Sequence, residues 1–243
     1  VCGRFVQASP PAVLADRFAV DEIAIADQPA PDYNVTPRAE VPAVVQRAAG
    51  HRTLELMRWG LVPSWADSPA VGDRLINARA ETLLDKPAFA QAFRRRRCII
   101  PADGFYEWQA RPGRRRKQPM FVHRRDGEPM AFAGLWEVWR ERADDPWLVT
   151  CTVITTDANS LMAPIHDRMP ALLPRDVWDE WLDRERADVD ALGALLGPAP
   201  DDDLEVWRVR PLVSDPRHNG PELVEPVPPD EPDDDDGQGV LFA

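Results

Sequence analysis

The chain has 243 residues, 44% hydrophobic and 29% charged, enough to bury one large core as a single domain or as one domain with a tail. It contains no run of about 18 apolar residues and no basic-then-apolar leader, so we expect neither a membrane helix nor a secretory signal, and a cytoplasmic protein. Its net charge of −12 argues on average against nucleic acid, and three scattered cysteines, Cys2, Cys98 and Cys151, are too few for a disulfide framework and suit a reducing compartment.

The first predicted element is a short helix in "ASPPAVLADRF" (8–18), with Ser9 as N-cap, proline in the first turn, and Val13, Leu14 and Phe18 turned inward. From Arg52 onward the pattern becomes strand-like: "RTLELMRWGLV", "RCIIPADGFYEW", "PMFVHRR", "MAFAGLWEVW", "PWLVTCTVITT" and "LEVWRVR", most of them separated by turn residues such as "RRDGEP" and "RADDP". Two helices interrupt, "KPAFAQAFRRRR" and "LPRDVWDEWLDRE", the second with Val177, Trp178, Trp181 and Leu182 on one face. Strands outnumber helices without alternating with them, which predicts an α+β fold with a mainly antiparallel, barrel-like sheet and flanking helices. From about Pro226 the chain turns into a Pro/Asp segment with too little apolar surface to order itself. The expected organisation is a folded domain over 2–227 and an acidic tail over 228–243.

The negative total hides local positive charge: "FRRRRC" (93–98) and "RPGRRRKQ" (111–118) are basic runs, readable either as solvated ends or as an anion-binding surface. Metal chemistry is disfavoured, because His51, His123, His166 and His218 show no HxxxH or HExxH spacing and none adjoins a cysteine. No GxSxG elbow and no GxxxxGK[ST] loop occurs, so neither a serine hydrolase nor a nucleotide hydrolase is expected, and no cofactor is implied.

Cys2 is the unusual residue. With the residue before it removed, it carries a free α-amine and a thiol on adjacent carbons, a 1,2-aminothiol that reacts with an aldehyde through an imine to a five-membered thiazolidine. The α-amine, with an ordinary pKa near 8, is partly neutral at physiological pH. Val1 stands in the way as written; we read it as a GTG start codon, translated in cells as methionine and trimmed. Glu107 follows an Asp-Gly turn between Tyr106 and Trp108 and reads either as a desolvated acid/base or as a strand-edge carboxylate facing water. His166, between prolines with Asp167 and Arg168 adjoining, reads either as a deliberately placed polar group or as a plain loop histidine. Asn77 shares its strand-to-loop stretch with Arg79 and Glu81.

Taken together, "CGRF" (2–5), "YNVTP" (33–37), "MRWGLVPSW" (57–65), "INARAET" (76–82), "RCIIPADGFYEW" (97–108), "IHDRMP" (165–170) and "HNGPELVEP" (218–226) resemble, in order and spacing, the SRAP family, the SOS-response-associated peptidase domain. The resemblance implies a DNA-damage protein that covalently captures abasic sites in single-stranded DNA through its N-terminal cysteine. It casts Cys2 as nucleophile, Glu107 as proton shuttle, His166 as the acid that opens the sugar, and Asn77 as a positioning residue. Arg4, Arg79 and Arg168 match phosphate-holding positions. Trp65 and Trp108 would offer faces to neighbouring bases, with Asn34 and Pro37 lining the site. Where some relatives carry a second tryptophan after Trp65, this chain has Ala66, which leaves its preference for DNA junctions open. Two other classes fit the same residues: a thiol autopeptidase, and a single-strand DNA-binding module that forms no covalent bond. Nucleoid association follows from the DNA reading.

The tail ends "DDDDGQGVLFA", an acidic run closed by apolar residues. Gln238, Leu241 and Phe242 form a Q-x-x-L-F pattern similar to peptides that dock in the bacterial sliding clamp, which makes the clamp a second expected partner; a solvated tail that merely ends in apolar residues is the competing reading.

Overall fold

The computed structural model describes residues 2–48 and 50–228. The tail, with Gln238, Leu241 and Phe242, lies outside the described residues, and so does the clamp expectation that rests on it.

Among the described residues thirteen strands and four α-helices follow one another: β1 (Phe5–Gln7), α1 (Pro11–Arg17), β2 (Glu22–Ala24), β3 (Asp32–Val35), β4 (Glu40–Ala48), β5 (His51–Trp59), β6 (Asn77–Arg79), α2 (Pro87–Arg95), β7 (Arg97–Ala102), β8 (Gly104–Gln109), β9 (Gln118–Arg124), β10 (Met130–Trp139), β11 (Leu148–Asp157), β12 (Arg168–Pro170), α3 (Trp178–Leu182), α4 (Val189–Ala194) and β13 (Leu204–Arg208). In the larger sheet β11, β10, β7, β4 and β5 are neighbours in that order. A short parallel pairing of Thr150 with Arg58 and Cys151 with Trp59 joins β5 back to β11 and closes the ring. The class is therefore α+β, mostly antiparallel, with a barrel.

Alternation builds the walls. In β7, Cys98, Ile100 and Ala102 point into the barrel while Ile99 faces the helical layer; in β10, Phe132 and Trp136 point in while Ala131, Ala133 and Leu135 point out. Both faces are covered, so these strands read as continuous apolar runs rather than alternating ones. Gly134 pairs with Cys98, and a Cβ there would sit 2.8 Å from the Cys98 Sγ; only glycine leaves room for the inward thiol. Outside the barrel, Leu14 from α1, Phe18 directly after it, Phe93 from α2 and Trp181 from α3 lie in the second apolar cluster.

A five-stranded sheet in the order β13-β9-β8-β1-β3 packs against the barrel. It shares the interior core through Phe5, whose ring meets Trp59 edge-on at 4.9 Å and Phe132 at 5.9 Å.

Three local expectations are corrected. Ser9 does not cap α1: its hydroxyl donates to Asp103 Oδ1 at 2.5 Å, and Pro10 takes the cap position with no side-chain bond. Val13 is exposed, because α1 turns the stripe of Pro11, Leu14 and the following Phe18 inward and Val13 lies off it. The helix read over 173–185 is a single 310 turn at Arg175–Val177 followed by α3, with Val177 only half-buried. The strands before Arg52 also escape a sequence reading. In β4 the reason is Pro42, which normally demotes a strand yet here pairs with Leu56.

Candidate active site

β1 is three residues long, yet it is paired on both sides: with β3 through Phe5↔Val35, and with β8 through Phe5↔Phe105 and Val6↔Gly104. The Tyr106 N–H donates to Arg4 O at 3.0 Å, so the alignment continues toward the N-terminus and carries Cys2 to the Glu107 side of β8. Glu107 shares the inward face of β8 with Phe105, two residues away. It is buried, and its Oε1 accepts from the Cys2 backbone N at 2.5 Å. Water does not bathe this carboxylate, so the strand-edge reading fails. Asn77, at the start of β6 and paired with Val153 of β11, donates from Nδ2 to Cys2 O at 3.3 Å. Two segments distant in sequence, β6 and β8, thus converge on Cys2.

Cys2 is fully buried. Burial, reinforced by the Glu107 charge, pushes its thiol well above the usual range, so at neutral pH it is a protonated thiol. Its φ of 27° lies in the left-handed region, which costs a non-glycine residue roughly 1–3 kcal/mol. Gly3 is the opening beside it: a Cβ there would meet nothing within 4 Å.

His166 follows a turn in which Ile165 and His166 both donate to Met162 O. Its Nδ1 accepts from the Arg168 N–H at 3.0 Å, which puts the proton of the neutral ring on Nε2. The same Nδ1 lies 2.8 Å from Asp167 Oδ1, a contact that serves the protonated ring. The loop therefore offers a partner for either state. Gln109 Nε2 donates to Pro164 O at 3.0 Å and ties the strand that carries Glu107 to this loop.

The expected DNA-contacting residues divide into two sets. Arg79 and Trp65 are exposed, Pro37 and Trp108 half-exposed, and Trp108 Nε1 donates to Ser214 Oγ at 3.1 Å. Asn34 is buried and its amide is committed within the protein. It accepts from Arg4 Nη1 at 2.6 Å and donates to Asp215 O at 3.1 Å and His218 O at 2.7 Å. It stands directly behind Arg4. Arg168 is likewise buried, its guanidinium held by Glu81 at 2.9 Å and Asp157 at 2.7 Å. That ion-paired hub pins β12 to β11 and to the turn after β6, and its forked geometry is spent there. Ala66 packs inward with Val62 and Trp139, leaving Trp65 as the aromatic that faces solvent on this segment.

Sequence reasoning missed the Val213–His218 loop that Asn34 and Arg4 grip, because its contribution is backbone carbonyls that no residue type announces. It also missed Arg38, exposed, at a φ of 77° and paired with Asp73 through Nε at 2.7 Å. Its position directly after the "YNVTP" motif was the available signal. Among the described residues no group of three or more His, Cys, Asp or Glu side chains could hold a metal ion, and no helix is long and apolar enough to cross a membrane.

The fold and site define a barrel protein in which a buried cysteine, Cys2, is set against a buried glutamate, Glu107. The chain belongs to the SOS response associated peptidase (SRAP) family, whose pattern it matches over residues 1–216. It is 42% identical over 225 residues to the abasic site processing protein YoqW of Bacillus subtilis, covering 93% of this chain and 99% of that one. It is 32% identical to the abasic site processing protein YedK of Escherichia coli, over 93% of this chain and all of that protein. Among solved structures, a protein from Bacteroides thetaiotaomicron shares the fold at a TM-score of 0.81 and 24% identity, over 93% of this chain and 100% of that one. A protein from Bordetella bronchiseptica matches at 0.72 and 28%, over 86% and 100%.

Proposed function

We propose that this chain processes abasic sites in single-stranded DNA by covalent capture through Cys2. The observation that carries the reading is the 2.5 Å contact between the Cys2 nitrogen and the Glu107 carboxylate in a buried pocket. That nitrogen becomes the α-amine once residue 1 is removed. The removal is favourable in one respect, since the positive φ at Cys2 exists only while the bond to residue 1 does. The same strain is the one feature that favours the autopeptidase reading, as self-processing at the 1–2 bond rather than as the main activity.

The steps balance without a cofactor. The amine adds to the aldehyde of the ring-opened deoxyribose, the carbinolamine loses water to give an imine, and the thiol adds across the C=N bond while the nitrogen takes up a proton. One C–N and one C–S bond form, one water leaves, and nothing is oxidised or reduced. A buried, protonated thiol makes the amine the first nucleophile, with sulfur closing the ring second. Glu107 accepts the amine proton and returns it to the departing hydroxyl; His166 donates from Nε2 to the sugar ring oxygen. Asn77 holds the Cys2 carbonyl and thereby aims both nucleophiles. Arg79, with Arg4 held by Asn34, takes flanking phosphates, and Trp65 and Trp108 stack bases.

The test is incubation with a single-stranded oligonucleotide carrying one abasic site. Wild type gives a heat-stable mobility shift and Cys2→Ala gives none while still binding the strand. Equal crosslinking by Cys2→Ala overturns the reading.

A further inference from the structure

Five cations, Arg111, Arg114, Arg115, Arg116 and Lys117, crowd the tip of the hairpin between β8 and β9, and all but Arg111 are solvent-exposed. The sequence from 108 to 125 contains no acidic residue, so the hairpin itself is a locally basic element. The hairpin leaves from the rim of the candidate site: its last ladder pair is Gln109↔Gln118, two residues beyond Glu107 on the same strand.

The described chain ends at the other foot of this hairpin. The Val227 N–H donates to Arg208 O at 2.9 Å, and Arg208 Nη2 donates to Pro228 O at 3.4 Å. Arg208 pairs with Met120 of β9, and the Val209 N–H donates to Pro119 O at 3.1 Å. Lys117 is three residues from Met120, about 10 Å along an extended strand. After Pro228 the sequence carries six acidic residues within 230–236, Asp230, Glu231 and Asp233 to Asp236. The five residues from 229 to 233 can span about 17 Å, so the run reaches the tip with length to spare.

We propose that the acidic run 230–236 docks in cis on the 111–117 hairpin and, on the single-strand reading given above, competes there with DNA phosphates. Opposite charges placed this close on one chain meet at a high effective concentration, so modest pairwise attraction is enough to populate the contact. Salt weakens it, because exposed charges are screened over about 8 Å at physiological ionic strength and about 3 Å at 1 M. The device holds a basic surface beside the reactive pocket in check until a longer polyanion displaces the tail.

Two measurements on the full chain test it, both in a Cys2→Ala background so that capture plays no part. A labelled peptide covering 229–240 is titrated into protein whose own tail is neutralised (D233N/D234N/D235N/D236N). It binds at low salt, and adding R114Q/R115Q/R116Q to the same protein weakens it at least about tenfold. Affinity for an undamaged single strand is then compared across the four combinations of tail and hairpin changes. Neutralising the tail tightens binding about tenfold at low salt with the hairpin intact and has no such effect once the hairpin is neutralised. A peptide that does not bind, or tail and hairpin effects that simply add, overturns the proposal. Peptide binding without any DNA binding leaves the docking standing and removes the single-strand reading instead.

Discussion

Replacing Glu107 by glutamine separates proton transfer from shape. The carboxylate is buried and accepts from the Cys2 nitrogen at 2.5 Å; the amide of Glu107→Gln keeps an acceptor oxygen of the same reach but cannot take a proton. A positioned acid/base contributes roughly 10²–10⁴-fold to a rate. At about 1.36 kcal/mol per factor of ten, this is about 2.7–5.5 kcal/mol of activation free energy. The assay is single-turnover crosslinking to an abasic single strand at saturating protein, with affinity measured separately on a strand whose site carries no aldehyde. The variant should lose rate by that factor, keep its affinity, and show a different pH profile of capture. A folded Glu107→Gln that captures within about threefold of wild type would refute the role of the carboxylate, since that is far below the smallest expected effect.

Four further outcomes are expected. Asn34→Ala removes an acceptor for Arg4 and donors to the 213–218 loop, so it should destabilise by about 2–4 kcal/mol in urea unfolding and weaken DNA binding through a released Arg4. Trp65→Ala, at an exposed position, should leave stability within about 0.5 kcal/mol of wild type while costing single-strand affinity about 1–3 kcal/mol; Arg79→Ala, scored by salt dependence, should flatten the log-log slope by about 0.7. Burial raises the Cys98 thiol well above its ordinary value, so the folded state keeps a proton that the unfolded chain releases from about pH 8.5 upward. Stability supplied by that buried thiol is intact below this pH and falls above it by about 1.4 kcal/mol per pH unit, and Cys98→Ala should make the decline between about pH 9 and 10.5 shallower by that amount; an unchanged slope would contradict the assignment.

Much of the site was readable before the fold was known, because its chemistry depends on residue type and order. An early cysteine, a glutamate after an Asp-Gly turn and an asparagine in "INARAET" are visible as letters. Their convergence is not: Cys2 reaches Glu107 only because β1 pairs with β8 across about a hundred residues of sequence. Two positions carry more than sequence shows. Polar residues in motifs suggest exposure, yet Asn34 and Arg168 are both buried and bonded within the protein. Sequence records that a guanidinium is present, not which carboxylates surround it. The two sheets were legible from six runs rich in β-branched and aromatic residues, whereas β4 was hidden by Pro42 and the Ser9 cap by a tertiary competitor, Asp103. In each case a distant partner outweighed the local preference.

The most direct test of covalent capture is the intact mass of the adduct and the position of its attachment. Protein freed of residue 1 is reacted with the abasic strand, digested, and the crosslinked peptide sequenced by mass spectrometry. The proposed chemistry predicts a single adduct on the N-terminal cysteine, at the summed mass of peptide and DNA fragment less one water, with neither a free α-amine nor a free thiol at Cys2. An adduct on a lysine, or on a chain that still carries residue 1, would contradict it.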